Sequence, residues 1–538
     1  MGRQGPDASV TDQYDIAVIG GGINGAGIAR DAALRGLKVI LLEKDDFGSG
    51  TSSWSSRLIH GGLRYLEYGE IPLVFESLHE RRRLRALASH LVSELKLSIP
   101  IYADSRRSKF IIRLGMLAYD LLSLGKNLPA HRMLSARELM MEEPGLQEEG
   151  LQGGAQYFDA QVTFVERLVL ENVIAAREAG AVVRNYCPVI GINIRDRVVR
   201  SVQFVDHFSG QESEVSARVV INAAGPWVDS VLATVNREMQ PVMGGTKGSH
   251  IVVGKFNGAP SSAFYVEARK DGRPFFIIPW NEQMLIGTTD IRYDGDPGDV
   301  TASDEEIEYL VAETNAVFPS ANLTRKDIHY TYAGIRPLPR RDKGPESAIT
   351  RKHIILKHRK EAKGLVSIIG GKLTTYRNLA EIVVDKVVRE LGGDFGDCQT
   401  RVRPLPGCID LESTTKIIVA YPGISTRCVA RLRSIYGSRA ERIVELSDDY
   451  PGFLNDTQTV LVAEVIHAIR NEFAVTLTDI VHRRLMIGLL PDQGNSMITA
   501  IADVAAAEAG WDRSTRQAQL ARLRDHEMRL RANVPAAQ

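Results

Sequence analysis

The chain has 538 residues, enough for two or three domains around a large buried core. Apolar residues make up 44% and charged residues 25%, an ordinary globular composition. The 66 Lys and Arg residues balance the 66 Asp and Glu residues, so no global field argues for nucleic acid or an acidic partner.

The opening "MGRQGPDASVTDQ" has no apolar core of a signal peptide, and Pro6 stands where a myristoylation site would need Ser or Thr. Residues 1–13 are expected to be flexible. No run of about eighteen uncharged apolar residues occurs, so no bilayer-spanning helix is expected. Cys187, Cys398, Cys408 and Cys428 are scattered without a C-x-x-C pair. They read as inert thiols in a reducing compartment and leave no ligand set for an iron–sulfur cluster.

"YDIAVIGGG" is a short β-branched run that predicts a buried parallel strand. "INGAGIARDAALRG" predicts a helix closing on Gly36, and "LKVILLEKDD" predicts the second strand. Between the strands lies Gly20-x-Gly22-x-x-Gly25, and Glu43 stands about twenty residues on, the dinucleotide fingerprint in its strand–turn–helix setting. The glycines permit a tight turn, close approach to a pyrophosphate and close helix packing. The helix N-terminus favours phosphate, and Glu43 can accept from a ribose hydroxyl.

Next comes "TSSWSSRLIHGGLRYLE", where Ser and Thr donors lead into Gly61-Gly62 between Arg57 and His60 on one side and Arg64 and Tyr65 on the other. Bare backbone at a glycine pair lets a ligand approach closely. "RRSKFIIRLGMLAYDLLSLGKN" predicts a basic amphipathic helix too short and too charged to span a bilayer. Arg106, Arg107, Lys109, Arg113 and Lys126 flank Phe110, Ile111, Leu114, Leu117 and Leu121. Such a helix lies in a membrane interface or faces a core, and the pattern leaves both open.

"VVINAAGPWVDS" and "LVSIIGGKLTTYR" are further apolar runs ending in glycine turns, at Ala224-Gly225 and Gly370-Gly371. The expected class is α/β and α+β, with one discontinuous doubly wound domain over 14–402 built from distant segments. Inserted into it is an antiparallel-sheet domain, roughly 90–150 and 235–345, including "SHIVVGKF", "RPFFIIPW" and "EQMLIGTTD". After the linker "RPLPGCIDL", residues 403–538 show helical periodicities throughout and predict an all-helical C-terminal domain.

The motifs "GGGINGAGIARDAALRG", "LIHGGLRYLE", "GPWV", "KGSHIVV", "IPW", "IGTTD", "GIRPL" and "GGKLTTYR" resemble those of FAD-dependent glycerol-3-phosphate dehydrogenases of the aerobic, respiratory type. This family lies in the D-amino-acid-oxidase-like flavoprotein superfamily. The likeness runs in register from about Tyr14 to Asn378 and continues weakly through "TLTDIVHRR". It implies a Rossmann-like FAD domain with an inserted substrate domain, and non-covalent FAD. It also implies oxidation of sn-glycerol 3-phosphate to dihydroxyacetone phosphate, by hydride transfer from C2 to flavin N5. Electrons would pass to a quinone, with the protein cytoplasmic and peripheral on the inner face of the plasma membrane.

The cofactor residues implied are Gly20, Gly21, Gly22, Asn24, Gly25 and Glu43, then Ser52, Ser53, Arg57, His60, Gly61, Gly62 and Leu63. Val189, Ala224, Gly225 and Trp227 follow, with Gly371, Lys372, Leu373, Thr374 and Thr375 from the last glycine turn. Arg57 stands where relatives often have lysine. Arg64, Tyr65, His250, Arg336, Arg351, Lys372 and Thr374 match substrate positions, with His250, Lys372 and Arg336 as catalytic candidates. A phosphate suits arginine forks, and the proton acceptor stays open between His250 and its cationic neighbours. "YDGDPGD" lacks calcium-loop spacing, so no metal is expected. Two other readings remain: a soluble oxidase using oxygen, and an amino-acid oxidase, against which the three arginines argue. The sequence leaves the oligomeric state open, a homodimer included.

Overall fold

The first strand, Gln13–Ile19, reads as a continuous apolar run because both its faces are covered; Ile16, Ala17 and Val18 are fully buried. The computed structural model describes residues 13–534 apart from 67–68, 124, 126–127, 237–238, 342–349, 409–422 and 532–533, and does not describe the Arg64 side chain. Of the N-terminal segment expected to be flexible, all but Gln13 therefore lies outside the described residues, as do Lys126 and part of the predicted linker.

Five strands run parallel, in the order Leu365–Ile369, Glu212–Asn222, Gln13–Ile19, Val39–Leu42, Val182–Arg184. Ile354–Lys357 adds an antiparallel edge, and the hairpin Val189–Arg195 with Val198–Val205 pairs onto Glu212–Asn222. The helix Ile23–Leu34 packs between Val165–Glu178 and Tyr376–Leu391. It ends as the sequence predicts, with Gly36 past its last turn at φ 85°.

A second sheet is mostly antiparallel. It runs from Ile291–Arg292 through Thr246–Val253, Gln283–Gly287, Pro274–Trp280 and Ala263–Glu267 to Val92–Tyr102, Leu151–Val162 and Leu58–Ile59, with Ile328–Arg336 also paired to Thr246–Val253. It reaches beyond the segments expected for the insertion: Leu151–Val162 and Leu58–Ile59 belong to it.

Beyond residue 403 the described chain is helical, with Thr426–Tyr436, Ala440–Leu446, Val462–Asn471, Ile498–Ala509 and Arg513–Leu530 as its α-helices. Buried ion pairs fasten this unit to the first sheet. Asp46, just past the second strand, accepts from Arg483 Nε at 2.6 Å and from both terminal nitrogens of Arg484 at 2.8 Å. Arg167 forks onto Glu472 at 2.6 and 2.7 Å. Burial pushes the Asp46 carboxyl up, but Arg484 and Arg483 overcome this and hold it at about 2.

Removing that carboxylate leaves the buried Arg484 guanidinium without a carboxylate partner and Arg483 with Asp479 alone. Asp46→Ala is expected to cost about 3–5 kcal/mol in denaturant unfolding. A carboxylate held below its unfolded value of about 3.9 contributes stability above that pH and loses it as pH falls toward 2. The parent's acid-unfolding curve is therefore expected to contain a term that Asp46→Asn lacks.

Candidate active site

A cavity of about 1370 Å³ opens where the parallel strands end, bounded by both sheets and the C-terminal helices. That is larger than a drug-sized pocket, typically about 300–1,000 Å³. At one end lie Gly20, Gly22, Asn24, Glu43 and Ser52. Gly20 has φ 104°, and a Cβ there would meet the Ala223 carbonyl oxygen at 2.6 Å. A Cβ on Gly25 would collide with the Gly20 carbonyl oxygen, so the helix can sit this close to the strand only on glycine. Ser52 Oγ accepts from Ile23 N at 3.0 Å, and Glu43 accepts from Gly21 N at 2.6 Å and Asp45 N at 2.9 Å. Burial raises the Glu43 carboxyl to about 7. Asn24 Nδ2 donates to Gly370 O at 3.4 Å, while its buried Oδ1 has no partner. Val189, Ala224, Gly225 and Trp227 line the same wall, and Lys44 Nζ sits 4.1 Å over the Trp227 ring.

At the other end lie His60, Gly62, Leu63, Tyr65, Gly371, Lys372 and Leu373. Gly62 has φ 79°, and a Cβ there would strike the Tyr65 ring and lie 3.2 Å from Lys372 Nζ. Lys372 Nζ donates to Ser77 Oγ at 3.0 Å and to His60 O at 3.4 Å, and sits 4.5 Å over Tyr65. Burial lowers the ammonium to about 7 although Asp159, Glu76 and Glu70 pull it up. Gly61 stands behind the wall. Its N–H donates to Tyr119 Oη at 3.1 Å and to Asp159 Oδ1 at 3.2 Å; Tyr119 Oη donates to the same carboxylate at 2.8 Å, and Arg81 pairs with it.

Arg336 and Arg351 also face the cavity. Arg336 donates to Asp290 Oδ1 at 3.0 Å, Thr288 Oγ1 at 3.0 Å and Thr289 O at 2.9 Å. Its guanidinium fills the space a Cβ on Gly248 would take. Arg351 Nη2 donates to Asp290 Oδ2 at 3.4 Å, and its buried Nη1 has no partner.

Several residues expected at the site stand off the wall. Arg57, expected beside the flavin, is fully buried and forks onto Glu166 at 2.8 and 2.7 Å, over the Trp280 ring. A buried guanidinium needs a counter-charge, and Glu166 supplies it. His250 lies one layer back, its Nε2 2.9 Å from the Oγ of cavity-lining Ser56 and its ring stacked on Tyr332. Burial, with Arg336 and Arg57 nearby, lowers it to about 3, so it is neutral. Thr374 accepts from His60 N and donates to His60 O, which pins that loop instead of facing the cavity. Ser53 donates to Gly48 O, and Gly21, Gly25 and Thr375 are packed behind the surface. The described structure places only the backbone of Arg64, in the turn Leu63–Leu66.

Sequence reasoning missed the C-terminal contribution: Arg483, Arg522, Asp525, His526 and Arg529 line the cavity too. The helix Arg513–Leu530 carries so little apolar periodicity that nothing in its sequence points inward. Asp290 was likewise passed over, although it closes the quoted "IGTTD".

Residues 15–377 match the model of the FAD-dependent oxidoreductases, and residues 398–516 match the C-terminal domain of alpha-glycerophosphate oxidase. A glycerol-3-phosphate dehydrogenase of Synechocystis is 47% identical over 515 residues, covering 93% of both chains. The chain belongs to the FAD-dependent glycerol-3-phosphate dehydrogenase family. An aerobic member from Staphylococcus haemolyticus is 34% identical, over 88% of this chain and 86% of its own. The crystal structure of the Bacillus halodurans glycerol-3-phosphate dehydrogenase, complexed with FAD, superposes with a TM-score of 0.80 at 28% identity, over 98% of this chain and 97% of that one.

FAD is therefore the cofactor. The residues present fit it: a glycine cradle at the strand end, a buried acid at ribose distance in sequence, and an orphaned Asn24 oxygen on the wall. Gly25→Ala is expected to yield protein almost devoid of flavin, read from the visible absorbance of the soluble fraction. A full complement of flavin in that variant would contradict the cradle.

Proposed function

We propose that this enzyme oxidises sn-glycerol 3-phosphate to dihydroxyacetone phosphate and passes the electrons to a membrane quinone. The observation that carries the substrate is the arginine pair: Arg336 and Arg351 meet at Asp290 on the cavity wall, and Arg351 Nη1 is buried without an acceptor. An unpaired buried guanidinium nitrogen is costly unless an anion completes it. A phosphate dianion suits that fork, with Arg64 of the turn Leu63–Leu66 as the third cation. The names of the relatives support the same substrate.

On this reading the first glycine turn with Glu43, and the turns at Gly62 and Gly371–Lys372, would hold the cofactor. Bound there, FAD would supply the hydride acceptor, its N5, for the substrate's C2. The chain must take the proton of the C2 hydroxyl. Lys372 suits this: it lines the cavity beside Tyr65, and at about 7 a large fraction is neutral at physiological pH. His250 is held near 3 and screened by Ser56, so it orients the Ser56 hydroxyl and does not take the proton. Tyr65 stacks on the Lys372 ammonium and fixes its direction.

The electron acceptor must approach the cavity itself. The helix Lys109–Ser123 is amphipathic, and its apolar stripe points outward: Phe110 is 73% exposed, Leu114 59% and Leu121 68%. Ile71 and Phe75 of the helix Ile71–Leu87, which packs against it, are exposed as well. Lys109 and Arg113 flank the stripe, and no helix among the described residues is long and apolar enough to cross a membrane. Such a patch with basic flanks suits attachment to the surface of an anionic bilayer. This supports a peripheral protein on the inner face of the plasma membrane, drawing quinone from the bilayer.

Turnover of glycerol 3-phosphate with a soluble quinone analogue tests the reading. Arg351→Ala is expected to raise KM about a hundredfold with flavin retained; an unchanged KM would remove that arginine from the site. A base must be neutral to act, so kcat/KM is expected to rise with pH through about 7 and then level. Lys372→Arg, which keeps the charge at all these pH values, should be nearly inactive and lack that step. Leu114→Asp with Leu121→Asp is expected to abolish co-sedimentation with anionic vesicles while leaving turnover with the soluble quinone intact.

A further inference from the structure

Asp290 has no role in the reaction as read above, yet it stands between the two arginines that carry it. It sits on the cavity wall, in the turn joining Gln283–Gly287 to Ile291–Arg292. One oxygen accepts from Arg336 Nη1 at 3.0 Å and the other from Arg351 Nη2 at 3.4 Å. Arg336 ends the strand Ile328–Arg336 of the inserted sheet, whereas Arg351 belongs to the segment leading into Ile354–Lys357 of the first sheet. One carboxylate thus joins guanidiniums carried by two different sheets.

The turn is itself held firmly. Its Asp290 carbonyl accepts from Arg273 Nη1 at 2.8 Å; Thr289 Oγ1 donates to Glu306 at 2.6 Å and accepts from Ser249 N at 2.8 Å. The same turn offers Thr288 Oγ1 and Thr289 O to Arg336 Nη2. Two guanidiniums side by side repel each other before any anion arrives. A fixed carboxylate offsets that repulsion and sets the direction of both forks, while the buried Arg351 Nη1 keeps no partner.

We propose that Asp290 is a positioning residue: it holds Arg336 and Arg351 at the spacing that receives the substrate's phosphate. The proposal rests on the glycerol 3-phosphate reading. It makes Asp290 act through the arginines and not on the reacting carbon, so its loss acts on substrate capture far more than on the chemical step.

Steady-state kinetics of the flavin-loaded enzyme with glycerol 3-phosphate tests this, using Asp290→Asn, Asp290→Glu and Arg351→Ala side by side. Asp290→Asn keeps the shape of the side chain and removes its charge. It is expected to raise KM about tenfold with a much smaller change in kcat and with flavin content retained. Asp290→Glu restores the charge and is expected to recover most of the lost affinity. Parental KM in Asp290→Asn beside a raised KM in Arg351→Ala would overturn the inference and leave the substrate reading standing. Parental KM in Arg351→Ala would overturn both. Equal loss of flavin and thermal stability in both Asp290 variants, with KM unmoved in the remaining holoenzyme, would make the residue merely structural and overturn the proposal.

Discussion

No side chain fits between the Gly20 carbonyl and the helix that begins at Ile23, and the rest of the molecule is arranged around that contact. Because Gly25 brings the helix down onto the strand end, the first turn opens directly into the cavity, beside Ala223 and the Gly370–Gly371 turn. Three strand ends from residues far apart in sequence then border one space. A single methyl group at Gly20 or Gly25 would push these turns apart and with them the wall on which the cofactor depends.

Charge is handled in the same economical way. The chain is neutral overall, but carboxylates, three of them buried, carry arginines from distant segments: Asp46 takes Arg483 and Arg484, Asp159 takes Arg81, Glu166 takes Arg57, and Asp290 takes Arg336 and Arg351. The first three pairs are dry and shape the walls. The last is partly exposed on the cavity wall, where on the proposed reading the carboxylate keeps both guanidiniums in place for a phosphate. Asp159 adds a second connection. Through Tyr119 it links the Gly61 amide to the helix whose apolar stripe faces outward, so the surface patch and the substrate end of the cavity share one hydrogen-bonded hub.

Much of this was legible in the sequence, for local reasons. A buried parallel strand, a glycine turn and a capped helix each announce themselves within a few residues, so Tyr14–Glu43 and the later glycine turns were read in place. The glycine pair at 61–62 and the arginines at 336 and 351 followed from the family resemblance. What escaped depended on distant partners. Arg57 looked like a ligand because Glu166, over a hundred residues on, is invisible as its partner. Leu151–Val162 lay outside the segments expected for the insertion, yet it pairs between Val92–Tyr102 and Leu58–Ile59 in the second sheet. His250, a site residue by the family resemblance, lies one layer back, because the resemblance marks a position on the strand and not the depth at which Ser56 screens it. The C-terminal helix Arg513–Leu530 is polar nearly all round, and only the fold brings Arg522 and His526 to the cavity.

The central claim is that a bound flavin and a phosphate-binding arginine pair share one cavity. Anaerobic rapid mixing of the flavin-loaded protein with glycerol 3-phosphate, and separately with unphosphorylated glycerol, tests it most directly. Complete and saturable bleaching of the visible flavin band is expected with the phosphate ester, and none with glycerol at the same concentrations. Equal bleaching by both, or by neither, would contradict it.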